Sequence, residues 1–184
     1  SVSTGSGATG NTAVGINALT NNTTGTNLVA IGGHTLDANT SGVNNTAVGK
    51  SALTTSTTGN NNTAMGVSAL ESISTGSTNT AVGVNAGASI TTGGQNVIFG
   101  YNTDSTGGAG DNRLGFGVSL SLDTNNQVKI GVSTNFITNN FASNATWTHS
   151  SDERLKENIE NDSLGLSFIT DLRTVTFNWR KTED

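Results

Sequence analysis

Short apolar segments alternate with polar, glycine-containing stretches along the first two thirds of the chain, and this alternation keeps a fixed period. Each unit holds a three-residue segment, usually with alanine at its centre, then a glycine, and ten positions later a second glycine. The first glycines of successive units recur with a constant 17-residue spacing: Gly15, Gly32, Gly49, Gly66, Gly83, Gly100 and Gly117. Disordered low-complexity sequence has no physical reason to hold such a register, so the period indicates a repeat architecture.

A unit of this length is too short for two helices and suits one coil of a β-solenoid. The two-residue period of a strand turns Ala13 inward and its neighbours Thr12 and Val14 outward. Stacked coils would pair their strands in parallel, with ladders of Asn and Thr side chains and with glycines at corners that need a positive φ. We therefore predict an all-β fold in which residues 1–117 form a parallel β-solenoid (β-roll) of about seven 17-residue coils.

The core of such a coil is thin, because Ala, Val and Leu supply most of its apolar side chains. Small cores are commonly supplemented by disulfides, by metals or by oligomerisation. The chain has no cysteine, and its two histidines, His34 and His149, lack the spacing of metal ligands. We expect no metal and no cofactor, and we infer oligomerisation in which the outward strand face packs against neighbouring subunits.

Composition narrows the functional classes further. The chain contains 24 glycines, no proline and 11% charged residues, and its 32% hydrophobic content lies below the roughly 45–50% of ordinary globular domains. A net charge of −5 argues against non-specific binding of nucleic acid. No apolar run approaches the ~18 residues of a membrane span, so we expect no membrane insertion. The acidic residues Asp37, Glu71 and Asp104 are scattered singly, which disfavours an enzyme acting on external substrates.

The repeated segments resemble a known family. Asn11-Thr12-Ala13-Val14-Gly15, with its copies at 45–49 and 79–83, is similar to the head repeats of YadA-like trimeric adhesins. The resemblance covers roughly residues 8–117, although the repeat here is longer than that family's usual one. It implies a left-handed parallel β-roll that packs as a homotrimer.

Charge is segregated at the other end of the chain. Thirteen of the 21 charged residues lie between Asp152 and Asp184, and the 17-residue period is lost after Gly117. Apolar alternation at 127–131, 135–141 and 145–148 predicts short strands there. We therefore predict a β-rich neck over 118–150 and a small α+β piece over 151–184.

That last piece resembles a second family, the endosialidase-type intramolecular chaperone, a self-cleaving domain at the C-terminus of many phage tail fibres and tailspikes. The matching positions are Ser151, Asp152, Arg154, Leu155, Lys156, Asn158 and Ile159, followed by Val175-Thr176-Phe177-Asn178-Trp179. The resemblance covers residues 151–184, and we expect the chain to end inside that domain.

The chaperone resemblance implies that Ser151 is a nucleophile and Lys156 its general base. A serine hydroxyl needs a neighbouring base, and a lysine serves as one only where burial or nearby cations lower its pKa. Ring size favours attack on the carbonyl of Ser150, whereas the family is associated with release between Ser151 and Asp152; both bonds stay open. Without the motif, a serine before a charged helix is usually an N-cap.

These features favour a structural and adhesive component of a phage tail fibre, with autoproteolysis as its only catalysis. The expected partners are two further copies of the chain, other virion tail proteins and a host surface glycan or protein, and the expected location is the virion. The alternatives are a bacterial trimeric adhesin head on the cell surface or an ice-binding β-solenoid. Phe99, Tyr101 and Phe116 are candidates for a glycan site or, alternatively, for enlarged core residues.

Overall fold

The computed structural model describes residues 8–142 and 148–149, and all regular structure within them is β-strand. The solenoid strands are short and recur once per coil, which the strong turn propensity of the intervening Gly, Asn and Ser residues explains. The strands are β1 (Thr12–Val14), β2 (Val29–Ile31), β3 (Thr46–Val48), β4 (Thr63–Met65), β5 (Thr80–Val82), β6 (Val97–Phe99), β7 (Asp104–Ser105), β8 (Leu114–Val118), β9 (Ser121–Leu122), β10 (Gln127–Val132), β11 (Asn135–Asn140) and β12 (Thr148–His149). Because no helix occurs in the described residues, none there can cross a membrane.

Eight strands stack in parallel to form the rod: β1, β2, β3, β4, β5, β6, β8 and β10. Their register follows the 17-residue period, so that Ala13 lies opposite Ala30 and Ala30 opposite Ala47. The last step differs, because Phe116 of β8 pairs with Ile130 of β10 across a 14-residue coil. The predicted parallel β-solenoid is confirmed, and its ladder continues one strand beyond the 17-residue period.

The neck strands complete this ten-stranded sheet. β10 turns back through a two-residue loop at Ser133 into β11, which pairs with it antiparallel, and β12 pairs antiparallel with β11. The strands predicted at 127–131 and 135–141 are thus present. Of the strand predicted at 145–148, residues 145–147 lie outside the described residues, as does the α+β piece predicted over 151–184.

The core is a set of columns of small apolar side chains that run along the rod. The central alanine of each strand points inward and is buried, as the alternation predicts; the column is Ala13, Ala30, Ala47, Ala64 and Ala81. Beside it lies a column of fully buried leucines that adopt a positive φ of 50–54°: Leu19, Leu36, Leu53 and Leu70. A left-handed backbone costs about 1–2 kcal/mol per non-glycine residue. Burying a leucine side chain contributes about 1.5–3 kcal/mol, which offsets that strain.

The two glycine series have different causes. Gly66 has a φ of +139°, and a Cβ there would lie 2.6 Å from the carbonyl carbon of Gly83 in the next coil. Gly42 belongs to the second series and lacks a left-handed φ; its Cβ would lie 2.5 Å from the carbonyl oxygen of Gly59. The expectation that both series need a positive φ is therefore wrong for the second, where close approach of successive coils excludes a side chain.

Candidate functional site

The outward face of the solenoid strands carries a continuous apolar stripe. The residue before each first glycine forms its central column, and β11 extends the column through the pair Ile130 and Ile137. The column is Val14, Ile31, Val48, Met65, Val82, Phe99, Phe116, Ile130 and Ile137. Val14 is the most exposed at 56%, and Val48, Val82 and Phe116 are half-buried. We call this column, with the flanking column below, the outer stripe.

The flanking column is formed by the residue after each first glycine. Its members are Ile16, Gly33, Lys50, Val67, Val84, Tyr101, Val118 and Val132, among which Lys50 alone is charged. Seven steps at about 4.8 Å give the outer stripe a length of roughly 34 Å, and its two columns lie about 6.8 Å apart. A contiguous exposed apolar face of this kind marks an interaction surface.

Three aromatic residues interrupt the uniform stripe near its C-terminal end. The rings of Phe99 and Phe116 stack with centroids 5.5 Å apart and planes inclined by 5°, and Tyr101 lies beside them with 58% of its surface exposed. Phe99 is not an enlarged core residue, because its side chain lies on the outer face of the sheet and Ile98 fills the inward position.

Buried asparagines run along one corner of the rod and hold successive coils together. Each amide Nδ2 donates to a carbonyl across the same coil, as from Asn79 to Gly93 at 2.9 Å. Each Oδ1 accepts the backbone N–H of the next asparagine, as from Asn96 to Asn79 at 3.1 Å. The column is Asn45, Asn62, Asn79 and Asn96. The predicted asparagine ladder is confirmed.

Arg113 takes the place of asparagine in the next coil and ends this ladder. Its backbone N–H donates to Asn96 Oδ1 at 3.0 Å, and its side chain is buried with 5% exposure. The guanidinium donates to Ser105 Oγ and, at 3.0 Å, to the carbonyl of Leu122. Burial lowers the pKa of Arg113, and the carboxylates of Asp123 and Asp111 offset part of that shift.

Lys129 makes the corresponding change in the alanine column. Its ammonium donates to the carbonyl of Ser121 at 2.5 Å and to Asp123 Oδ1 at 3.1 Å, and it lies 4.3 Å from the centroid of the Phe136 ring. Partial burial would raise the pKa of Asp123, but hydrogen bonds and the charge of Lys129 outweigh it and hold that pKa below its usual range. Together Arg113, Lys129 and Asp123 form what we call the end plug of the rod.

The remaining candidates form no site of their own in the described residues. His34 is half exposed and lies 3.6 Å from Asp37 Oδ2, and no group of three metal-ligating side chains comes together in the described part. A shallow apolar depression of about 280 Å³ beside the outer stripe is lined by Asn112, Leu114, Asn126, Val128 and Phe141. Ser151 and Lys156, the predicted nucleophile and base, lie outside the described residues.

Sequence reasoning missed the end plug, because a lone Arg or Lys in a polar chain is normally read as a surface residue. The 17-residue period could have identified Arg113 as a buried residue. Arg113 stands one full period after Asn96 and so occupies a buried column. Lys129 could be found only after recognising that its coil is shorter than the coils before it.

Comparison with known proteins gives one family match. Residues 151–184 match the family described as chaperone of endosialidase. No match was found among the curated proteins, and none among the solved structures. The chaperone resemblance is thereby confirmed and points to a protein of the phage tail fibre type, while the YadA-like nature of the repeats remains a prediction.

Proposed function

We propose that the chain is the structural and adhesive part of a phage tail fibre, a homotrimeric rod that contacts the host surface. One observation carries the proposal: a β-solenoid rod and a chaperone-of-endosialidase segment follow one another in the same chain. Parallel pairing between long chains is slow and prone to misassembly. A chaperone at the C-terminal end supplies the alignment that the rods need before they associate.

The outer stripe supports the homotrimer. A rod this thin gains little from its own core of alanines and single leucines, and it leaves an apolar face along its whole described length. Packing those faces around a common axis removes the stripe from water at about 25 cal/mol per Å². The outward-facing remainder, rich in Thr, Asn and Ser, then stays available for other tail proteins and for a host glycan or protein.

Self-cleavage next to Ser151 completes the proposal. Lys156, as the free amine, takes the proton of Ser151 Oγ, and the oxygen attacks the carbonyl of Ser150. Lys156 returns the proton to the Ser151 nitrogen as the C–N bond breaks, so the acyl group moves to Oγ. Water then hydrolyses the ester to the Ser150 carboxylate and the Ser151 hydroxyl, which releases the chaperone. Release at the Ser151–Asp152 bond is the alternative. Losing the chaperone removes the route back to the unassembled state and leaves a kinetically trapped fibre.

A denaturing gel of the complete gene product tests this proposal. We expect two fragments from the wild type and a single band from Ser151→Ala. Lys156→Arg should also give one band, because a guanidinium keeps its proton in proteins. Ser150→Ala is the matched control and should still cleave. An intact wild-type chain contradicts the proposal, and the mass of the N-terminal fragment identifies which of the two bonds is cut.

The described contacts weigh against the ice-binding alternative. Such proteins need outward threonines free to order water, but here a column of hydroxyls is used within the rod. Thr23 Oγ1 donates to the carbonyl of Thr40 at 2.8 Å, and Thr40 Oγ1 donates to that of Thr57 at 3.1 Å. The outward threonines of the solenoid strands stand two residues before the Val and Met residues of the outer stripe, so the outward face is mixed. A bacterial adhesin is expected to end in a membrane-anchor barrel and not in a chaperone.

A further inference from the structure

We infer that the stacked pair Phe99 and Phe116 is a register lock, the part of the outer stripe at which three copies of this chain find their alignment. The inference rests on the proposed homotrimer, and its partner is therefore a second copy of this chain. The lock is needed because a periodic rod offers its partners many nearly equivalent alignments, one for each coil.

The central column of the first five coils discriminates poorly between alignments. In the central column of the outer stripe, valines at 14, 48 and 82 alternate with Ile31 and Met65. A shift of two coils places valine on valine and Ile31 on Met65. Isoleucine and methionine have similar volumes, and such swaps are tolerated well in packed interfaces. Within this column the shift costs little beyond the contacts of the two coils that lose their partners.

The aromatic pair breaks this symmetry. In the aligned trimer, Phe99 contacts Phe99 of the other two subunits, and Phe116 contacts their Phe116. A shift of two coils places Phe99 against Met65 and Phe116 against Val82. The two rings are nearly parallel and 5.5 Å apart, so they form one rigid block, and neither can fold into the coil because Ile98 and Gly115 occupy the inward positions. A block facing smaller side chains leaves voids that forfeit dispersion contacts.

Charge on the outer stripe favours a copy of the same chain as partner. Within the described stripe the only ionisable groups are Lys50 and the phenol of Tyr101, both in the flanking column at exposed positions. Copies can therefore associate through the central column without desolvating an ion.

Cysteine cross-linking can measure the alignment directly, because the chain has no cysteine of its own. Two differently tagged copies are co-expressed, one carrying Val48→Cys and the other Val82→Cys. These positions reach the same height only in trimers shifted by two coils. With the aromatic pair intact, we expect links between identical positions. With Phe99→Val and Phe116→Val in both copies, we expect links between the two differently tagged copies to increase several-fold.

Two further variants separate a register lock from a loss of folding. Ile31→Val with Met65→Val removes apolar volume from the same column and should leave the link pattern unchanged. Val14→Phe with Ile31→Phe, added to the variant lacking Phe99 and Phe116, moves the aromatic pair to other neighbouring coils. This transplant should restore links between identical positions, which a merely destabilised rod would not do.

The outcomes distinguish the two proposals. A light-scattering mass other than three subunits overturns the homotrimer and the lock together. A trimer whose link pattern is unaffected by Phe99→Val and Phe116→Val overturns the lock alone, as does a transplant that fails to restore alignment in a trimer with wild-type circular dichroism.

Discussion

From Thr12 to Gly93 each coil is held by neutral groups, whereas beyond Asn96 the coils are held by buried cations. In the first region alanine and leucine columns and the asparagine ladder repeat along the rod. In the second, Arg113 replaces asparagine and Lys129 replaces alanine. A repeating coil can always accept another coil on its open end, so a rod needs atypical residues to stop it. The end plug supplies them, because Arg113 and Lys129 place a guanidinium and an ammonium, bonded to the carbonyls of Leu122 and Ser121, where earlier coils have an amide and a methyl group.

The first glycines of the regular coils are closely packed, whereas Gly107 near the C-terminal end of the rod is not. Substituting a first glycine of the regular coils should therefore have the largest effect on stability. Gly66→Ala imposes a left-handed φ of +139° on alanine and drives its Cβ into the carbonyl of Gly83. We expect a loss of about 3 kcal/mol or more in the free energy of unfolding. Gly107→Ala is the control at the other end, because a Cβ there meets nothing within 4 Å. Urea unfolding followed by circular dichroism measures both, and equal losses would contradict the close-stacking argument.

The asparagine ladder should be the next most sensitive feature. Asn79→Leu leaves the carbonyl of Gly93 and the backbone N–H of Asn96 without their partners. Leucine fits sterically, because Leu28 occupies the equivalent position in an earlier coil. We expect a loss of about 2–3 kcal/mol from the unpaired buried groups. The same substitution at the exposed Asn21 should cost little in a parallel unfolding experiment, and a similar loss at both sites would refute the ladder's role.

Where the two regions meet, the loss of a leucine side chain at Gly87 is compensated by a larger inward residue, Ile98, and this can be tested. Gly87 stands where earlier coils have a leucine, and a Cβ there would lie 2.9 Å from Leu70 Cδ2 and 3.3 Å from Ile98 Cδ1. Gly87→Leu alone should overpack the core by about 1–3 kcal/mol. Combined with Ile98→Ala it recreates the earlier coil, so the double variant should be more stable than the sum of the single changes predicts. Additive losses in thermal unfolding would count against this reading.

Removing the buried ammonium should weaken the end plug. Lys129→Met keeps the length of the side chain but leaves the carbonyl of Ser121 without its donor and Asp123 without its counter-ion. We expect a loss of about 1–2 kcal/mol, whereas Lys50→Met on the exposed stripe should change stability by less than about 0.5 kcal/mol. Hydrogen exchange of residues 121–140 checks the first effect, and unchanged protection there would contradict it.

The smallest effect concerns pH. The pKa of Asp123 is held below its usual range. Its pairing with Lys129 therefore stabilises the end plug fully at pH values above the usual aspartate pKa, and this stabilisation is lost as the pH falls through the lowered pKa. Asp123 is 56% exposed, so solvent screens the pair and the change should be small. Comparing thermal midpoints at neutral and acidic pH should show a weaker pH dependence in Asp123→Asn than in wild type. An identical dependence would rule out this contribution.

The regular coils were predictable because one period fixes both the pairing register and the inward face. The positive φ of Leu53 and its equivalents was not, since it reflects a balance between backbone strain and burial that only packing reveals. The second glycine series was assigned to the wrong cause, because sequence cannot separate a turn from a close approach of coils. Of the predicted site, the family match supports the segment that contains Ser151 and Lys156, while their roles remain predictions.

The central claim is that this thin rod exists as three aligned copies. Light scattering coupled to size-exclusion chromatography of the complete gene product tests it most directly. The account predicts a mass of three subunits that persists on dilution. A mass of one subunit would contradict it, because the outer stripe would then lie exposed to water along the described length of the rod.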